Sequence, residues 1–266
     1  VVKKYYINTK GNIRTSFSKI KDYFFHRPLY IILVLTYRLK SKAQLHDADP
    51  LKTLYVNPHD IKYVSGLSGG SFNIHKIGLV KDGNWDQKKK PFINLDVPHA
   101  IHEHFKYRKK WEDIDIIKDA IKQVKNGNRA FKSNTLNELI KHCEYIDYLY
   151  SEISSNGYIS GKDINKFSSF ERKKFKSIIG NKFYNRYNDV AVDIGRNGEL
   201  LFVDCRHRLA IAQVLDIKKI PVLVQARHKE WQDLRKTLAE AGSLDDLPES
   251  IKIQLEHPDL KDIVED

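Results

Sequence analysis

Methionine is absent from the 266 residues, and cysteine occurs only twice, at Cys143 and Cys205. Nothing physical accounts for the missing methionine. Two such cysteines supply neither a disulfide framework nor a zinc site, which points to a reducing, cytoplasmic setting. Also lacking is any apolar run of the roughly 20 residues that a bilayer-spanning helix needs. The longest, PLYIILVLTY, occupies residues 28–37. The N-terminus has no charged-then-apolar-then-small pattern of a signal peptide. Internal repeats and low-complexity tracts are missing too, which excludes a solenoid.

Charge is what the chain has in quantity. The net charge is +12, and it is polarised: residues 229–266 hold 11 acidic against 5 basic side chains, leaving a body of +18 before them. A body so basic favours phosphate-bearing partners, whether nucleotide, nucleic acid or anionic lipid. Arg27, Arg38, Lys40 and Lys42 flank the longest apolar run. Residues 16–42 therefore read either as a membrane-surface segment or as a buried helix or strand, the second being the simpler.

Periodicity and turn signals divide the chain into a basic, helical N-terminal extension (1–52), a core (53–228) with an insertion over about 65–133, and an acidic helical tail (229–266). TLYVNPHDIKYV predicts a strand, an Asn57-Pro58 turn and a second extended piece. Within the insertion, helices are expected over 97–105 and 111–125. Thr135 and Glu138 have capping-box spacing. From there Leu136, Leu139, Ile140, Cys143, Ile146, Leu149 and Ile153 mark one helical face, which Asn156-Gly157 stops. VAVDIGRNGELLFVD predicts a hairpin turning at Asn197-Gly198, and IPVLVQA a buried strand. A helix is expected in the tail over 229–241. The fold class expected is α/β in the broad, α+β sense.

Between hairpin and buried strand lies DCRHRLAIAQVLD. Asp204 is placed to cap the helix, which opens on Arg206, His207 and Arg208 although a helix start already carries partial positive charge. A bound anion would resolve that conflict. Arg206 and Arg208 suit phosphate oxygens, and His207 can donate or shuttle a proton. The competing reading pairs the two arginines with Asp204 or Asp193 at a strand-helix junction.

The ordered series of capped helix, Asn-Gly stop, hairpin and VDCRHRLAIAQVLDIKKIPVLV resembles the ParB/sulfiredoxin superfamily, whose D-G-x-H-R turn precedes a helix and an I-P-V strand. The resemblance covers about residues 136–227, and YVNPHDI is similar to the superfamily's first core strand. It implies a small mixed sheet whose basic turn holds nucleotide phosphates. Different branches use such a turn for CTP-dependent DNA clamps, ATP-dependent sulfinic acid reduction, free-serine phosphorylation and nuclease activity. Asp204 matches the motif's Asp, Arg206 its variable position, and His207 and Arg208 its His-Arg pair. Cys205 replaces the common Gly. Because Arg206 stands where sulfiredoxin has its catalytic Cys, that chemistry is disfavoured, and Cys205 reads as structural.

Under this resemblance the ligand is ATP or CTP with Mg²⁺. Phosphoryl transfer needs a carboxylate to position acceptor or metal, for which Asp60, after the first strand, and Asp86, in KDGNWD, are candidates beside His207. The loop at Asp82 and Asp86 equally reads as a solvated turn over a buried Trp85. His99, His102, Glu103 and His104 lack H-E-x-x-H spacing and are not read as a zinc site. Residues 165–187 carry Arg172, Lys173, Lys174, Lys176, Lys182 and Arg186 interleaved with aromatics. That composition can track a nucleic-acid backbone while stacking bases, or form an exposed basic helix. No helix-turn-helix is legible after the core, which weakens the clamp reading. Three expectations remain: a phosphotransferase or phosphohydrolase, a DNA-binding protein or nuclease, and a nonenzymatic phosphate-recognition module.

Overall fold

The computed structural model describes residues 32, 48, 52–69, 71–73, 76–160, 189–241 and 247–264. The candidate membrane-surface stretch, apart from Ile32, and the whole basic connector 165–187 lie outside the described residues. Among those described, no helix is long and apolar enough to cross a membrane.

Asn57 and Pro58 act locally as their chemistry dictates. The Asn57 side chain accepts from the His59 amide at 3.0 Å, and Pro58 supplies a pre-set φ. The 3-10 turn Pro58–Asp60 thus carries the chain from β1 (Thr53–Val56) to β2 (Tyr63–Val64). The stretch read as an insertion supplies β3 (Leu79–Lys81), β4 (Lys90–Pro91), α1 (Asp96–Phe105) and α2 (Asp115–Lys125). Next comes α3 (Leu136–Asn156), capped by Thr135, whose hydroxyl accepts from the Glu138 amide at 3.2 Å. The Glu138 carboxylate reaches back one residue further than a capping box requires, to the Asn134 amide at 2.7 Å.

The hairpin of β5 (Val190–Ile194) and β6 (Leu200–Asp204) turns through Gly198 at φ 79°, a left-handed position suited to glycine. It is followed by α4 (Arg206–Val214), β7 (Ile220–His228), α5 (Lys229–Glu240) and the short α6 (Glu249–Lys252) and α7 (Lys261–Val264).

Seven strands form one mixed sheet in the order β1-β7-β5-β6-β2-β4, with β3 also on β7. The fold is therefore α/β in the broad, α+β sense. One edge of β7 pairs in parallel with β5; the other takes antiparallel β1 at Ile220–Leu223 and parallel β3 at Ala226–His228. All nine residues of β7 are buried. Since β6 is antiparallel to β5 and β7 parallel to it, α4 must carry the chain across β5.

Val190, Val192, Ile194, Phe202, Val222 and Val224 form one core layer against Leu209–Ala212 of α4, Val97 and Ile101 of α1, and Ile146, Leu149 and Ile153 of α3. By strand alternation Asp193 and Gln225 point the other way. There the Ser65 and Ser68 hydroxyls donate to Asp193 at 2.5 and 2.7 Å, and Gln225 accepts from the Asn73 amide at 2.6 Å, so the glycine- and serine-rich loop after β2 is tied to the sheet.

The described parts of the acidic stretch, 229–241 and 247–264, are built into this body. Asp259 is fully buried between Arg227, at 2.9 and 2.6 Å, and Arg235, and it also accepts from Trp231 Nε1 at 2.9 Å. Burial alone would raise the Asp259 pKa; the two guanidinium charges and the hydrogen bonds overcome it and hold the group at about 2.

Candidate functional site

A strand that feeds directly into a helix has to change direction at one residue, and here that residue is Cys205, at φ 69° and ψ 45°. This corrects the assignment of the cap to Asp204. Asp204 is still the last residue of β6, paired with Ala191, and its carboxylate accepts from the Cys205 amide at 2.7 Å and the Phe72 amide at 3.4 Å. Cys205 makes no side-chain cap, and no acidic residue stands in the helix's first turn. Burial, then the neighbouring Asp204, pushes the Cys205 thiol up to about 12. A thiol so hard to ionise is a poor nucleophile at neutral pH, which agrees with a structural role.

The three basic residues of that turn have different surroundings. Arg208 is buried, and neither Asp204 nor Asp193 is its partner. Its guanidinium donates to the Ile159 carbonyl, lies 3.6 Å from the Asp189 carboxylate and sits 4.1 Å over the Tyr158 ring. Asp189 also accepts from the Ser160 hydroxyl at 2.8 Å. Arg208 is thus a clasp between residues 158–160 and 189, the two points where the basic connector leaves and rejoins the described chain. Arg206 and His207 are half-buried. His207 lies Nε2 to Nε2 3.0 Å from His142 of α3, whose Nδ1 is 3.0 Å from the Phe131 carbonyl. The Tyr145 ring stands 6.3 Å from that of His207.

Neither candidate carboxylate joins this turn. Asp60 is exposed, in the 3-10 turn that Gln213 holds through the carbonyls of Pro58 and Ile61 at 2.9 and 3.2 Å. Gln213 belongs to the last turn of α4, about 10 Å along the helix from its start. Asp60 instead lines a cavity of about 710 Å³ together with Tyr55, Lys219, Glu256 and Lys261. Asp86 is buried at the hairpin end of the sheet, about 13 Å from Asp204 along β6. Burial would raise its pKa, but side-chain and backbone hydrogen bonds from Arg196 and the charges of His228 and Arg196 bring it below the ordinary carboxylate value. Arg196 grips it in bidentate fashion, Nε to Oδ2 and Nη2 to Oδ1 both at 2.9 Å. Asp86 pins the KDGNWD loop to the hairpin, and its oxygens are already spoken for.

Mg²⁺ asks for one or two carboxylates beside the phosphates. Among the described residues the turn offers Asp204, already accepting from two amides, and Asp189, already held by Arg208 and the Ser160 hydroxyl, and no three His, Cys, Asp or Glu side chains gather to hold a metal. The residues described do not fit a magnesium site at this turn, so no step below passes through one. Arg172, Lys173, Lys174, Lys176, Lys182 and Arg186 fall outside the described residues.

Sequence reading missed His142 and Asp189. His142 lies 65 residues before His207, and Asp189 is separated from Arg208 by the whole hairpin, so no local pattern marks either. The glycine- and serine-rich loop ending at Phe72 was a visible signal that had no assigned destination. Comparison with known proteins adds nothing to this geometry: no family model, no curated protein and no solved structure matches the chain.

Proposed function

We propose that the chain is a phosphate-binding protein of ParB/sulfiredoxin-like type, working as an ATP- or CTP-dependent phosphotransferase or phosphohydrolase on a small molecule or glycan. The observation that carries the reading is the left-handed conformation of Cys205, the residue that replaces the glycine of the D-G-x-H-R turn. Glycine is the residue such a position favours, so motif and backbone agree on the same turn. That turn leads into a helix start with two half-buried basic side chains and no acidic one. Partial positive charge from the helix and the Arg206 guanidinium would offset phosphate charge. Arg208 would hold the turn in shape rather than touch the ligand.

In a transfer, the acceptor oxygen forms a new P–O bond as the bridging P–O bond to the nucleoside diphosphate breaks. The acceptor's proton goes to His207. A cytoplasmic location is consistent with two thiols that form no disulfide.

A second reading, nucleic-acid binding, is favoured by the Arg208 clasp, because Ile159 and Asp189, described residues on either side of the basic connector in sequence, both meet the same turn. Isothermal titration with ATP, ADP, CTP and a DNA duplex, with and without Mg²⁺, separates the two. Nucleotide binding that weakens at least tenfold in Arg206→Ala supports the first reading. Salt-sensitive binding of duplex alone overturns it in favour of the second. Nucleotide binding without turnover leaves a recognition module.

A further inference from the structure

Two consecutive non-glycine residues, Phe131 and Lys132, are left-handed, at φ 48° and 60°. Left-handed backbone is unfavourable for residues that carry a Cβ, and a two-residue turn of this kind ordinarily recruits Asn and Gly. The turn is closed by Ala130 and Ser133, whose amides donate to each other's carbonyls at 3.0 and 2.8 Å. It aims the Phe131 carbonyl at His142 Nδ1, 3.0 Å away, with the Phe131 ring tilted against the imidazole at 5.1 Å.

Hydrogen-bond logic then fixes the protons. A carbonyl can only accept, so His142 Nδ1 carries a hydrogen, and a neutral His142 has a bare Nε2. His207 Nε2, 3.0 Å from that atom, must be the donor. Neutral His207 is therefore the Nε2–H tautomer, with Nδ1 as its proton-accepting nitrogen. Among the described residues, Tyr145 of α3 stands 6.3 Å ring to ring from His207, and Arg206 and Arg208 flank His207 on α4.

We infer that His142 is a positioning residue that, anchored by the Phe131 carbonyl, locks His207 in the tautomer able to take a proton at Nδ1. The inference rests on the phosphotransfer reading above. When the acceptor O–H breaks, a new Nδ1–H bond forms on His207. The Nε2 proton of His207 then passes to His142 Nε2, and the charge ends on His142, whose Nδ1–H keeps its bond to Phe131. The proton count is conserved, and the positive charge leaves the already basic first turn. This gives the strained turn at 130–133 a use, since it is the element that orients the carbonyl.

The test is long-range ¹H–¹⁵N NMR of the full chain labelled at histidine, with His142 and His207 assigned from His142→Gln and His207→Gln, at a pH where both rings are neutral. The expected spectrum has His142 protonated at Nδ1 and His207 at Nε2. His142→Phe should release His207 into a mixture of tautomers, and His142→Gln, whose Oε1 still accepts, should retain the lock. With an acceptor in hand, His142→Phe should lower kcat at least about 100-fold with KM little changed, and His142→Gln, which keeps the lock but cannot take the proton, should recover only part of it. A wild-type His207 protonated at Nδ1, or a tautomer indifferent to His142→Phe, overturns the relay while leaving nucleotide binding to stand on its own titration. A lock that is present in a protein turning over no nucleotide overturns the relay's catalytic use together with the phosphotransfer reading.

Discussion

Replacing Asp259 by Asn removes one charge and keeps the shape, and the structure states what is left behind. Arg227 and Arg235 are 3 % and 0 % exposed, and both face the Asp259 carboxylate. Breaking a buried pair from one side strands the partner's charge, at a cost of about 3–5 kcal/mol. Against a total stability of about 5–15 kcal/mol for a protein domain, that is a large share. Asp262 bonds Arg235 Nη2 at 2.9 Å and softens the loss for that arginine.

The pH dependence follows from the same group. The Asp259 pKa is depressed from an ordinary 3.8 to about 2 on folding. Its contribution is therefore complete above the unfolded value and is lost as pH falls from about 4 toward 2. At 1.36 kcal/mol per unit this amounts to about 2 kcal/mol. Urea titrations followed by tryptophan fluorescence, at pH 7 and at steps down to pH 2.5, measure both effects, since Trp231 touches the pair. The variant should lose about 3 kcal/mol or more at pH 7, and its stability should fall less steeply with acid than that of the wild type. A loss under about 1 kcal/mol, or parallel acid profiles, would refute the reasoning that this ion pair holds the C-terminal stretch to the sheet.

Cys205 offers a sharper local test: Cys205→Gly should stay within about 1 kcal/mol of wild type, since relief at φ 69° offsets the lost side chain, whereas β-branched Cys205→Val should cost roughly 2 kcal/mol or more in the same titration. At Gly198 a Cβ would stand 2.7 Å from the Trp231 ring, and φ is 79°. Gly198→Ala should therefore lower stability by roughly 2–4 kcal/mol and perturb the Trp231 emission, and an unchanged melting curve would contradict the close approach.

The elements that could be read from sequence are those whose cause is local. The α3 stripe is the clearest case: Leu139, Cys143, Ile146, Leu149 and Ile153 are buried as the 3.6-residue spacing demands. Leu136 and Ile140 share that stripe yet remain 38 % and 49 % exposed, because spacing says where a face is but not how far its cover extends. The Asn197-Gly198 turn carries its own backbone instruction and was legible for that reason. Asp259 was hidden inside an acidic composition, since its partner Arg227 is 32 residues away and nothing nearby announces the pairing. At the candidate site, the motif located the turn, but composition could not divide its basic residues into a buried clasp, Arg208, and the half-buried Arg206 and His207. The cap was displaced by one residue because Asp204 is a good capping side chain that the sheet had already claimed.

The place of β7 has a consequence for how the chain comes to be folded. Thr53 pairs with Leu223, and Val190 with Val222. A ribosome delivers β1 some 170 residues before the strand it must join, and Asp259 later still. Until β7 emerges, β1 and β5 have no shared neighbour, and α4 lacks the Val222 and Val224 part of the layer it packs on. Contacts so distant in sequence slow folding and prolong the exposure of unpaired strands. Among the described strands, the last to be made is the one that joins β1 and β3 to the rest of the sheet.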